Sequence, residues 1–188
     1  PIMGKKVSLP LFVDTELGRI YLCCKPCIKK VLADVATAHK TAYPKVEAVA
    51  NTVCPVSGEA IGDLAVEVTL QGLRFKVCCS GCVAAARTHS QVTLAKLTQP
   101  TRTDVGNRTC PITGAAVTPN NFTIVDGAIV HLATPEAADE AAKDPAGTLA
   151  KARALAKAQP PKEKHTHEQP PAPAKPKGGA PNPKEDAD

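Results

Sequence analysis

The sequence predicts an α+β chain of three tandem small units, each a β-hairpin followed by a helix, with a disordered C-terminal tail. Three observations carry this expectation. A Cys-Pro-x-x-Gly motif recurs, as CPVSG at 54–58 and CPITG at 110–114. Each motif is followed by two alternating runs hinged at glycine, Gly72 or Gly127. From Gln159 to the end, eight prolines in thirty residues stand among Lys, Glu and Gly with no large apolar side chain. Repetition organises the rest, because self-similar units of about 50 residues bury their apolar faces against one another.

The second unit, 51–100, shows the design most completely. Ala65–Leu70 and Leu73–Val77 alternate at period two around Gln71-Gly72, the pattern of a β-hairpin. The second run ends in the cluster Cys78-Cys79-x-x-Cys82, where Ser80 is a candidate helix N-cap. A helix is expected over 81–97, bounded by Pro100.

The first unit, 1–50, repeats the cluster, since Cys23, Cys24 and Cys27 fall on Cys78, Cys79 and Cys82 at an offset of 55. PIMG at 1–4 aligns with PVSG at 55–58, and Gly18 with Gly72, at an offset of 54. The opening cysteine is therefore expected immediately before Pro1. Leu11–Val13 and Arg19–Leu22 form the expected hairpin, and a helix over 26–42 follows, with Pro26 at its first position and Pro44 beyond its end.

The third unit, 107–158, keeps the scaffold and loses the cluster. Val125–Val130 reads as a hairpin through Asp126-Gly127, and Thr134-Pro135-Glu136 as a helix start. Ala133, Thr134 and Ala137 occupy the cluster positions, so only Cys110 remains. His131 reads either as a half-buried strand histidine or as a partner of Cys110 in a two-ligand remnant. His39 and His89 lie at non-equivalent distances from their clusters and are no part of the repeated design. The tail, 159–188, reads as disordered by composition, and its His165 and His167 as solvated.

Composition explains why such units need a staple. The chain of 188 residues has no Trp, three Phe and two Tyr, so Ala and Val must fill its cores. Domains this small bury too little surface to be stable alone, and commonly add a metal, disulfides or neighbouring repeats. Eight cysteines are available for that purpose. The net charge of +5 is spread without a basic run interleaved with aromatics, which argues against a nucleic-acid partner. No apolar run reaches the length of a membrane span. No carboxylate pair or Ser-His-Asp pattern stands in a catalytic context, so the chain is read as non-enzymatic.

Thiolates are soft ligands suited to zinc and copper. The hairpin brings Cys54 against Cys78, Cys79 and Cys82, four thiols where a structural zinc needs four ligands. Cys79 and Cys82 have C-x-x-C spacing, and Cys78 and Cys82 C-x-x-x-C. Adjacent strand residues point to opposite sides, so Cys78 and Cys79 join one site only through a local twist. Cys54, Cys78 and Cys82 are thus the firm ligands, and Cys79, like Cys24, the doubtful one.

This pattern, Cys-Pro-x-x-Gly, then a hairpin with Gly at its turn, then Cys-x-x-x-Cys opening a helix, resembles the YHS and TRASH families of small treble-clef-like, zinc-finger-like metal-binding domains of bacteria. Cys54, Cys78 and Cys82 match the family's three cysteines, and Cys79 stands where YHS-type sequences often carry Ser. In the first unit Cys23 and Cys27 match, and the third is degenerate. The likeness covers 1–158, with the full motif once. It implies the handling, sensing or delivery of heavy metals such as zinc or copper, and, with the Pro-rich tail, export to the periplasm or cell envelope in preference to the cytoplasm. The tail is expected to meet another protein or the envelope. Two other readings stay open: a thiol-disulfide or redox-sensing protein using the Cys-Cys-x-x-Cys clusters, and an interaction repeat protein in which metal or disulfides only pin the fold.

Overall fold

A computed structural model describes residues 8–159, with side chains described from Leu11 onward. The PIMG segment, the position before Pro1, and the tail with His165 and His167 lie outside the described residues. What is described is mixed α and β, with small sheets and six helices.

The first repeat contains β1 (Ser8–Thr15), β2 (Gly18–Leu22), α1 (Cys27–Ala33) and α2 (Val35–Ala42). The second contains β3 (Glu47–Ala48), β4 (Val66–Leu70), β5 (Leu73–Val77), α3 (Gly81–Thr88) and α4 (Ser90–Thr98). The third contains β6 (Thr103–Asp104), β7 (Phe122–Val125), β8 (Ala128–His131), α5 (Ala137–Ala141) and α6 (Pro145–Lys157). All three hairpins are antiparallel, with Leu70 opposite Leu73 and Val125 opposite Ala128 flanking two-residue loops. Gln71 and Gly72, like Asp126 and Gly127, have positive φ, the backbone that a type I′ turn requires.

Four expectations change. Each expected single helix is two, broken at Asp34, His89 and Asp144, positions 55 residues apart. Asp34 Oδ1 accepts from Thr37 N–H at 3.0 Å and Asp144 Oδ1 from Gly147 N–H at 2.9 Å, so the break re-caps the chain at a new angle. Secondly, Ser80 has helical backbone and makes no side-chain cap bond, and Pro26 sits one residue ahead of its helix. Thirdly, Gly18 is not the turn counterpart of Gly72, because the first loop is Glu16-Leu17 and Gly18 opens β2. It is glycine for two other reasons: its φ is +104°, and a Cβ there would lie 2.7 Å from Gln71 Cγ. Finally, β3 and β6 add a short parallel strand to β5 and β8, which two-residue runs could not announce.

Each repeat has its own small core, and each core contains cysteine. Val68, Leu70, Phe75, Val77, Ala86 and Leu97 pack with Cys54, Cys78 and Cys82. Ile20, Leu22, Val31 and Ala38 pack with Cys27, and Val125, Val130, Leu132, Leu149 and Ala152 with Cys110. As the composition required, much of the filling is Ala and Val, with Phe75 the largest fully buried side chain. The repeats also join. Val92 and Ala95 of α4 pack on Ile129 and Phe122 of the third hairpin. Gln71 N–H donates to Leu17 O at 3.1 Å, and Asn120 Oδ1 accepts from Gln91 N–H at 2.9 Å.

Candidate metal centre

Cys54 is set by its own turn. Gly58 N–H donates to Cys54 O at 2.9 Å and Cys54 N–H to Glu59 O at 2.7 Å, and the loop closes only because Gly58 takes φ +81°. The turn is then tied to the hairpin by Asn51, whose Nδ2 donates to Val53 O and Lys76 O while its Oδ1 accepts from Lys76 N–H at 3.0 Å. That clamp holds Cys54 against the end of β5, where Cys78 follows Val77. Cys82 enters from the first turn of α3.

The three sulfurs lie within 4.8 Å of one another, and all three residues are buried. Cys78 and Cys82 are 3.6 Å apart. Two thiolates at about 2.3 Å from one zinc stand about 3.8 Å apart at the tetrahedral angle, so this pair already has ligand spacing. Cys79, half-buried, approaches Cys78 at 3.8 Å and Cys82 at 3.9 Å but does not join the set that includes Cys54.

The electrostatics of the set suit a cation. Burial works to raise the Cys54 pKa, but N–H groups of Ser57, Cys78 and Val56 aimed at its sulfur outweigh it and lower the value from 9.0 to about 7. Burial holds the Cys78 and Cys82 thiols up, and for Cys82 the Cys78 contact and the Cys54 charge add to it. One thiolate forms readily, and the other two need a positive charge among them. A divalent ion supplies it, and binding then releases protons. Ser57 Oγ lies 3.3 Å from Cys78 Sγ, and the Cys78 thiol donates to Glu59 Oε2 at 3.5 Å.

The first cluster is built differently. Cys23, Cys24 and Cys27 also have sulfurs within 4.8 Å of one another, so Cys24 joins where Cys79 does not. Cys24 and Cys27 are 3.0 Å apart, and Cys23 is 3.8 Å from each. The hydrogen bond with Cys24, then burial, raises the Cys27 thiol to about 11. Cys23 and Cys24 are half-exposed, so this cluster opens to solvent as the second does not. None of the eight cysteines is joined in a disulfide.

The third repeat preserves the turn without the cluster. Cys110 N–H donates to Ala115 O and Gly114 N–H to Cys110 O, as in the second repeat. Burial raises the Cys110 thiol, but the Thr113 hydroxyl and the N–H groups of Thr113, Ala133 and Ile112 lower it on balance. Among the described residues no group of three metal-ligating side chains includes Cys110. His131 Nε2 instead pairs with Asp104 Oδ1 on β6 at 2.8 Å, an ordinary strand histidine. The His39 ring lies against that of Tyr43, centroids 5.1 Å apart and planes tilted by 45°, and His89 sits at the junction of α3 and α4.

Two features escaped sequence reasoning. Asn107 repeats the Asn51 clamp, donating to Thr109 O and His131 O and accepting from His131 N–H. Its signal was present, an Asn three residues before each Cys-Pro. Glu59 had no signal beyond its place beside the motif. Compared with protein-family models, with curated proteins and with solved structures, the chain finds no match.

Proposed function

We propose that the protein is a non-enzymatic binder of a thiophilic metal, zinc or copper, held by cysteine thiolates in tandem treble-clef-like units of YHS/TRASH type. The observation that carries this reading is the convergence of Cys54 with Cys78 and Cys82, which follow it by 24 and 28 residues in sequence and lie with it within 4.8 Å in space. A purely structural role for buried cysteine would not require three thiols to meet within 4.8 Å, two of them at ligand spacing, with N–H groups aimed at the third. The second centre, closed and buried, suits a retained ion that staples a small core. The first, half-exposed, suits an ion that exchanges, and so storage, scavenging or delivery. The tail is the element through which a partner protein or the envelope would be met.

Elemental analysis of anaerobically purified protein tests the proposal. Stoichiometric zinc or copper, lost in a Cys54→Ala, Cys82→Ala chain from the second centre, is the expected result. Full metal content in that variant, or none in the parent, overturns it. One observation favours a second reading for the first cluster alone: Cys24 and Cys27 at 3.0 Å in C-x-x-C spacing are placed for thiol-disulfide exchange. Reversible oxidation of that pair, with unchanged folding in chelator, would favour it.

A further inference from the structure

A metal site needs an entry path as well as ligands. An ion among Cys54, Cys78 and Cys82 sits behind residues that solvent hardly reaches, 0%, 7% and 1% exposed. Resting on the metal-binding reading above, we propose that Cys78, Cys79 and Cys82 form a second, outer three-thiolate position that shares two ligands with the buried one. Cys79 is then the entry ligand through which the ion passes in and out.

The sulfurs form two triangles with a common edge. Cys78 and Cys82, 3.6 Å apart, belong to the set that Cys54 completes. Cys79 stands outside that set, yet lies 3.8 Å from Cys78 and 3.9 Å from Cys82. Thiolates at about 2.3 Å from one ion stand about 3.8 Å apart in tetrahedral coordination and about 4.0 Å apart in trigonal coordination. The outer triangle, with edges of 3.6, 3.8 and 3.9 Å, therefore has ligand spacing on all three sides. Alternation along a strand would turn adjacent side chains apart, but β5 ends at Val77, so Cys78 and Cys79 escape it.

Exposure gives the pair of triangles a direction. Cys79 is half-buried where the other three are buried. Gly81 sets no side chain over it, and an added Cβ there would lie 3.8 Å from the Cys79 sulfur. The first repeat builds the same outer figure, with Cys23 3.8 Å from both Cys24 and Cys27 and those two 3.0 Å apart. There too the second cysteine of the cluster is half-exposed and the last is buried. The outer triangle is thus common to both repeats, and in the second it leads to Cys54.

Passage across the shared edge is a ligand exchange. The ion keeps its bonds to the Cys78 and Cys82 thiolates and gives up the Cys79 thiolate, which takes a proton from water. It gains the Cys54 thiolate, whose proton leaves to solvent. Two of three metal–sulfur bonds persist throughout, so the ion is never set free between the two positions.

The test uses the full chain carrying Cys23→Ser and Cys24→Ser, loaded with zinc. Iodoacetamide labelling mapped by mass spectrometry should modify Cys79 at least about tenfold faster than Cys54, Cys78 and Cys82, because the resting ion occupies the buried triangle. In stopped-flow mixing, Cys79→Ser should slow both zinc uptake and zinc release to a strong chelator at least about tenfold, while affinity from chelator competition changes less than about threefold. Cys79→Ala should behave as Cys79→Ser does, and circular dichroism verifies the fold of both. Protection of Cys79 equal to that of the other three, or a loss of affinity as large as the loss of rate, makes it an ordinary fourth ligand and overturns the proposal. Unchanged rates in both variants overturn it too, and either result leaves the metal reading intact. A parent chain that takes up no zinc overturns the metal reading and this proposal together.

Discussion

Zinc uptake by the second centre should release about 2.5 protons per ion at pH 7, because its three thiols start from different ionisation states. Cys54, lowered to about 7, is half ionised at that pH. Cys78 and Cys82, raised above 9.0, are protonated and each give up one proton. Release should approach about 2.9 protons at pH 6 and fall to about 2.1 at pH 8, as Cys54 ionises ahead of binding. Three thiols of the ordinary value near 8.5 would instead release about 2.9 at pH 7. The direction for stability follows too. A thiol whose folded pKa is depressed stabilises the metal-free fold at alkaline pH, and that contribution is lost as pH falls through about 7. Calorimetric titration in buffers of different ionisation enthalpy measures the count. The Cys23→Ser, Cys24→Ser chain confines zinc to the second centre without touching buried Cys27. Release near 3 protons at pH 7 would refute the role assigned to the N–H groups around Cys54. Release near 1 would refute a three-thiol site.

Other perturbations separate turn, clamp and core. Asn51→Ala should weaken zinc binding about 10–100-fold, as loss of groups that orient ligands does, measured by chelator competition. Asn107→Ala removes the same clamp where there is no cluster, and should cost about 2–3 kcal/mol in urea unfolding by stranding His131 N–H and two carbonyls. Gly127→Ala should cost about 1–2 kcal/mol for its positive φ alone, since nothing lies within 4 Å of the added Cβ. Gly72→Ala should cost clearly more, because the same backbone there meets Lys45 O at 2.9 Å and Tyr43 Cβ at 3.2 Å. Equal midpoint shifts for the two glycines would contradict that packing. Phe75→Ala empties the largest fully buried side chain and should cost about 3–5 kcal/mol by the same assay.

Local pattern carried much of the fold. Alternation around Gln71-Gly72 announced the second hairpin to within a residue and Asp126-Gly127 the turn of the third, because period-two burial and I′ turn chemistry are both short-range. The first strand of the third hairpin begins at Phe122, three residues before the Val125 from which the pattern was read. The helix breaks at Asp34, His89 and Asp144 were harder to see. An Asp inside a helical run reads as tolerable until its carboxylate is found capping the next helix. The strands β3 and β6 exist only because β5 and β8 offer them an edge. The Gly18 alignment misled because its glycine answers a contact with Gln71, 53 residues away.

By itself, then, the sequence determined the recurring Cys-Pro-x-x-Gly and hairpin pattern and the loss of the cluster in its third occurrence. These follow from spacing and side-chain alternation, which are local. Tertiary structure decided what depends on distance between segments: that Cys24 joins its cluster while Cys79 stays outside the Cys54 set, that His131 serves Asp104, that Asn51 clamps the turn, and that Glu59 reaches Cys78. A ligand set is closed by through-space contacts of a few ångströms, and no periodicity along the chain encodes them.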